Sequence, residues 1–217
     1  MKVYFDIEHV KTRRADYRDR VAATIKPPAT MKKAETIAKW EDEEKAAAID
    51  AEIEKTVFNG GLCHVVQIQY ALDDNDPVVL IAHTVEEEKQ IILAFLDAIT
   101  AQQSSLQFVG HNIANSDIKI LRQRCAVLGI FMPSNFLRAT KAKPWDDILF
   151  DTMIQWAGVG GTVSMDNLCY YLGVQTPKSD IRGDNYGDYW SNQLFDDCRR
   201  YGIDEIVALR EVYERMR

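Results

Sequence analysis

The order in which strand and helix patterns follow one another constrains this 217-residue chain more than any other feature. Lys2 to Ile7 alternates apolar and polar side chains, with Val3, Phe5 and Ile7 on one face, as a half-buried strand requires. After a long interruption, Cys63 to Leu72 and Pro77 to His83 are two further strand-like runs. Asp73-Asp74-Asn75-Asp76 joins them and is a turn by composition. From there strands and helices alternate. A helix is predicted over Val85 to Thr100, a strand over Leu106 to Gly110, a helix over Ser116 to Leu128 closed by Gly129, and a strand over Ile148 to Thr152. A helix over Ser164 to Leu172 has Ser164 as N-cap and Gly173 as its stop. Residues 174–188 read as a polar loop, and Asn192 to Met216 as a closing helix. Hairpins followed by strand–helix–strand crossovers predict an α/β fold: a mixed sheet, three antiparallel strands and then parallel ones, with helices on both faces.

The interruption is a second domain-scale feature, an insertion at about 11–60 within one domain spanning 1–217. Residues 11–33 carry eight basic side chains against Asp16 and Asp19, and Pro27-Pro28 argues against regular helix there. Ala34 to Val57 then reads as one helix rich in Ala, Glu and Lys, with Ile37, Trp40, Ile49 and Ile53 as its apolar side. The whole chain has a formal charge of −7, which argues against a protein that coats nucleic acid by neutralising phosphates. It leaves room for an enzyme whose acids bind cations. The start of the chain lacks a signal-peptide pattern, and no run approaches eighteen apolar residues, so no membrane partner and a cytoplasmic setting are expected. Cys63, Cys125, Cys169 and Cys198 are widely spaced and fall in apolar patterns, which predicts buried free thiols.

Three acidic constellations carry chemistry. In Phe5-Asp6-Ile7-Glu8, strand alternation projects Asp6 and Glu8 from one face and sends Phe5 and Ile7 to the other. Adjacent carboxylates repel unless a cation sits between them, and oxygen-only ligands suit magnesium or manganese. Asp117 falls in the first turn of the helix after the strand ending at Gly110, where it is either a third ligand or an acid favoured by the helix dipole. Tyr201, with Asp204 three and Glu205 four residues on, lies on the closing helix, with Glu205 the better aligned.

Together these segments resemble the DEDD (DnaQ-like) 3′–5′ exonuclease superfamily, tyrosine branch. Phe5-Asp6-Ile7-Glu8-His9 resembles the first motif, Phe-Asp-Ile-Glu-Thr. Gly110-His111-Asn112-Ile113 leading to Ser116-Asp117 resembles the second, with Ser in place of Phe. Ser164-Met165-Asp166-Asn167-Leu168 with Leu172-Gly173 resembles the segment before the third. Tyr201-Gly202-Ile203-Asp204-Glu205-Ile206 resembles the third, Tyr-Cys-x-x-Asp-Val, with glutamate where aspartate is usual. Ile25-Lys26-Pro27-Pro28 running into Lys32-Lys33 is similar to an insertion of phage and prophage exonucleases.

The resemblance implies a ribonuclease-H-like fold and a metal-dependent 3′–5′ exonuclease. Its substrate would be a DNA 3′ end, single-stranded or frayed, in a bacterial or phage-infected cell. Two Mg2+ or Mn2+ ions would be held by Asp6, Glu8, Asp117 and Glu205 or Asp204. Asp6 would bridge both ions, and Glu8 and Tyr201 would serve catalysis at the attacking water. It further implies contacts of Ile7, His111 and Asn112 with the terminal nucleotide, although the last two also read as structural and turn residues. Lys26, Lys32 and Lys33 are expected near phosphates if the insertion forms a flap, and in solvent if it does not. Asp151 reads equally as a support of the site and as a plain strand-end acid. An exoribonuclease, or a metal-defective binding module of the same fold, are the competing readings. Proofreading attached in cis is not expected of this chain.

Overall fold

A computed structural model of the protein describes residues 1–102, 105–176 and 180–217. Its sheet has the order β3-β2-β1-β4-β5, built from β1 (Lys2–Val10), β2 (His64–Leu72), β3 (Val78–Ile81), β4 (Gln107–Gly110) and β5 (Leu149–Asp151). β1 to β3 are antiparallel neighbours, and β4 and β5 run parallel to β1. The helices are α1 (Ala15–Thr24), α2 (Ala34–Glu43), α3 (Lys45–Glu54), α4 (Glu88–Thr100), α5 (Asp117–Leu128), α6 (Ser134–Ala139), α7 (Thr152–Ala157), α8 (Met165–Leu172), α9 (Tyr186–Ser191) and α10 (Phe195–Met216). This is the ribonuclease-H-like mixed sheet expected from the element order.

β1 is the centre of the sheet and sorts its side chains by the two-residue period of a strand. Val3, Phe5 and Ile7 enter the main core with Phe95 of α4, Phe108 of β4 and Phe136 of α6; the Phe5 ring lies 5.2 Å from Phe95 and 5.9 Å from Phe108. Tyr4 faces the other layer, where Ile206, Leu209 and Tyr213 of α10 cover it. Asp6 and Glu8 share Tyr4's face, so α10 is the element laid against them. Parallel pairing of β1 with β4 stops at Tyr4 opposite Val109. The C-terminal half of β1 therefore runs beyond the end of its neighbour and borders an open strand-end pocket.

Several elements depart from the sequence reading, each for a local reason. The prolines at 27–28 exclude helix only at their own positions, and α1 forms upstream of them. The predicted single helix over 34–57 is α2 and α3, broken at Glu44 (φ −113°) within the acidic run Glu41-Asp42-Glu43-Glu44, where like charges one turn apart repel. α3 packs on α1 through Val21, Ile49 and Ile53, a small core of the insertion itself. The predicted loop 174–188 includes residues 177–179, outside the described residues, and runs into the start of α9. Gln193 at φ 61° interrupts the closing helix, so α10 starts at Phe195 rather than Asn192. The six-residue helices α6 and α7 are too short to show a periodicity. All four cysteines are buried and unpaired, as expected, and Ser164 caps α8 by accepting from the Asn167 N–H.

Candidate active site

The site gathers at the C-terminal half of β1, where four acids from three elements meet. One carboxylate oxygen from each of Asp6, Glu8 and Glu205 lies within 4.8 Å of the others. Asp117 joins them: its Oδ1 accepts the Ile7 backbone N–H at 3.0 Å, and its carboxyl is close enough to that of Asp6 for the charge of Asp117 to push Asp6 upward. The Ile7 N–H is free for this because β4 has already ended. A side chain on the first turn of α5 thus takes the place of a missing strand partner.

α10 supplies the opposite wall. Tyr201 and Glu205 are one helical turn apart, and the Tyr201 hydroxyl donates to Glu205 Oε1 at 2.5 Å. Glu205, the residue aligned with the usual aspartate, reaches the cluster. Asp204, the alternative, is half-exposed and makes no part of it among the described residues.

The electrostatics follow from crowding. Burial, first, and then the charge of Asp117 push the Asp6 carboxyl well above the ordinary carboxylate range. Burial and Glu205 do the same to Glu8, and burial and Asp6 to Glu205. Burial carries Asp117 up to about 7. Burial, then the charges of Glu205 and Glu8, push the Tyr201 hydroxyl upward too, so it remains a proton donor at neutral pH. Among the described residues no lysine or arginine pairs with any of the four acids. By contrast the buried Glu88 has Arg124 at 2.7 Å.

The cluster opens through Tyr201 and Glu205 into a cavity of about 600 Å³ that also has Ser164, Tyr170, Arg182 and Gly183 in its walls. Gly183 is shared with a second cavity of about 550 Å³ beyond the end of β1, lined by His9, Lys11, Arg13, Lys55 and Phe58. The insertion contributes to this second cavity. Arg13 is fixed against α9, donating to Ser191 Oγ at 2.8 Å and lying 6.0 Å over the Trp190 ring.

The remaining candidates separate clearly. The Ile7 side chain is 5% exposed in the core layer, so its assignment to substrate contact is corrected: strand alternation turns it away from the cavity, and only its N–H serves the site. His111 has both ring nitrogens engaged, Nδ1 with Thr152 Oγ1 at 2.8 Å and Nε2 with the Val163 carbonyl at 2.9 Å, which makes it a clamp between loops. Asn112 adopts φ 55°, a backbone conformation asparagine tolerates, in the turn that delivers Asp117. Asp151 fastens that turn by accepting the Asn112 and Ala114 N–H groups at 3.0 and 3.1 Å while capping α7. Lys26, Lys32 and Lys33 are exposed and line neither cavity; Arg182 lines the first, and Lys11, Arg13 and Lys55 line the second. Sequence reasoning missed Gln67 and Gln69. Their signal was two glutamines inside an otherwise apolar strand, at positions 0% exposed in the fold.

A mixed sheet of this order with acids converging beyond its central strand defines a ribonuclease-H-like domain. In solved structures the same fold appears in the family B DNA polymerase from the hyperthermophilic archaeon Pyrobaculum calidifontis, with a TM-score of 0.60 at 17% identity over 98% of this chain and 24% of that one. The chain thus spans about a quarter of the polymerase it matches. No curated protein matches. Residues 58–217 match the model of a family described as a predicted 3′–5′ exonuclease related to the exonuclease domain of PolB, and the chain belongs to that family. The match begins at the end of the insertion, so β1 with Asp6 and Glu8 lies outside it, whereas Asp117, Tyr201 and Glu205 lie within.

Proposed function

We propose that the chain is a metal-dependent exonuclease of the tyrosine branch, removing nucleoside 5′-monophosphates from the 3′ end of single-stranded DNA, and that its 217 residues act as one domain. The observation carrying this is the convergence of Asp6, Glu8 and Glu205 within 4.8 Å, with Asp117 fastened to the Ile7 N–H between the two β1 acids. Four crowded carboxyls without a basic partner fit hard divalent cations, and an all-oxygen donor set fits Mg2+ or Mn2+. Asp6, Glu8, Asp117 and Glu205 would hold two such ions. Bound there, divalent ions supply Lewis-acid chemistry, making water more acidic and offsetting charge on the scissile phosphate.

The chain's own groups do the positioning. Tyr201, kept protonated, uses its hydroxyl to hold an attacking water rather than to deprotonate it. The cavity of about 600 Å³ beside it accommodates the 3′-terminal nucleotide. Tyr170 on its wall is 81% exposed and stands edge-on to Tyr171, so a base has an aromatic face to stack on. Arg182 on the same wall supplies positive charge for a phosphate. The neighbouring cavity has Lys11, Arg13 and Lys55 in its walls beside Glu54, Asp184 and Asp188, and these three cations, rather than Lys26, Lys32 and Lys33, are the ones placed to meet preceding phosphates. The insertion's likeness to phage and prophage exonucleases supports a cytoplasmic setting in a bacterial or infected cell; among the described residues no helix is long and apolar enough to cross a membrane. Glu205, which stands where aspartate is usual, lies in the cluster with Asp6 and Glu8, and this supports an active enzyme over a metal-defective module.

Oligonucleotides labelled at the 3′ or 5′ end, as DNA and as RNA, test the proposal in Mn2+, Mg2+ or EDTA. Stepwise release of mononucleotides from 3′ ends, faster on single-stranded DNA and abolished by EDTA, is expected. Internal cuts, release from 5′ ends or indifference to EDTA would refute it.

A further inference from the structure

Two buried glutamines form a directed hydrogen-bond relay behind the acids. Gln69 lies across from Asp6, and Gln67 across from Glu8, in the β1–β2 register. Gln69 Nε2 donates to Asp6 Oδ2 at 2.6 Å and to Glu205 Oε2 at 3.2 Å. Gln69 Oε1 accepts from Gln67 Nε2 at 3.0 Å, and the same nitrogen donates to the Cys198 carbonyl at 3.3 Å. Gln67 Oε1 accepts the Tyr186 hydroxyl at 3.0 Å.

The direction of this relay is fixed at both ends. A backbone carbonyl only accepts, so the Gln67 amino group must face Cys198. Its position turns the Gln69 carbonyl toward Gln67 and the Gln69 amino group toward the two acids. An ionised carboxylate, the form that a bound cation requires, also only accepts, so at the far end a metal-loaded site demands the same orientation. Gly202 makes room for the relay: a Cβ there would stand 2.6 Å from Gln67 Nε2 and 3.3 Å from Gln69 Cβ. A glycine in the interior of α10 is otherwise unfavourable.

We propose that Gln69 is a positioning residue for metal binding, orienting Asp6 of β1 and Glu205 of α10 toward one another, with Gln67, Tyr186 and Gly202 fixing its orientation. This rests on the metal reading above. Gln69 ties together acids from two separate elements, leaving Asp6 Oδ1 and the Glu8 carboxylate for cations. Groups that orient metal ligands typically contribute 10–100-fold in metal affinity.

The test is Mn2+ binding by calorimetry on the full chain, beside circular dichroism without metal and kcat at saturating Mn2+. For Gln69→Leu the dissociation constant is expected to rise about 10–100-fold while saturating Mn2+ restores kcat. A purely structural role would lower the melting temperature and leave the dissociation constant unmoved. Gly202→Ala, which touches no acid, is expected to weaken binding in the same direction by about 10-fold. Should Gln69→Leu fail to fold, Gln67→Leu, which removes the donor to Gln69, decides with a rise of about 10-fold. Wild-type affinity in the folded variants would overturn the proposal. If the wild-type protein itself binds no Mn2+, the metal reading fails instead.

Discussion

Asp6→Asn is expected to slow 3′-end degradation on the order of 10³-fold or more, about 4 kcal/mol of transition-state stabilisation at 1.36 kcal/mol per tenfold. Asp6 is the acid that links the rest: it feels the charge of Asp117, takes the Gln69 amide, and lies with Glu8 and Glu205 in the cluster. The same substitution should stabilise the metal-free protein. Asp6 is pushed well above an ordinary 3.8, by burial and then by the charge of Asp117, so above that value the folded chain holds a proton that the unfolded chain has released. Stability contributed by such a group falls as pH rises through that range. Asparagine has no carboxyl to ionise and so removes this loss. The metal-free variant should therefore melt higher than wild type at pH 7.5, by roughly 2–4 °C for each kcal/mol relieved, with the gap closing toward pH 4. Scanning calorimetry in EDTA reads the stability difference, and single-turnover kinetics reads the rate.

Position 205 should dominate position 204. Glu205→Gln is expected to lower activity about 100-fold, roughly 2.7 kcal/mol, whereas Asp204→Asn should remain within about twofold of wild type. The geometry behind this is the reach of glutamate. From α10 its carboxyl meets Asp6 and Glu8 within 4.8 Å and accepts the Tyr201 hydroxyl, while Asp204 on the adjoining helix face stays half-exposed. The amide variant preserves shape and removes charge, so a lost rate reports the charge. The opposite ranking, with Asp204→Asn the damaging change, would show that α10 turns its other face to the site during catalysis.

The parts of this site written in local pattern were legible in the chain. Alternation around Phe5-Asp6-Ile7-Glu8 put both acids on one face, and helix spacing placed Glu205 beneath Tyr201. The same alternation argued against Ile7 as a substrate contact, and the core position of its side chain agrees with the period rather than with the motif. What could not be read was set by partners distant in sequence. Gln67 and Gln69 look misplaced in an apolar strand until β1 and α10 are seen on either side of them. Lys26, Lys32 and Lys33 formed the more conspicuous basic run, yet the turn back through α3 brings Lys11, Arg13 and Lys55 to the cavity instead. Asp151 read equally as support or bystander, because only the loop from Asn112 to Ala114 reveals what it accepts.

Anomalous diffraction from crystals soaked in Mn2+ at neutral pH addresses the central claim most directly. Two peaks bounded by Asp6, Glu8, Asp117 and Glu205, with Asp6 touching both, are the predicted result. Saturating Mn2+ that leaves this pocket without a peak, or that collects only at surface acids elsewhere, would contradict it.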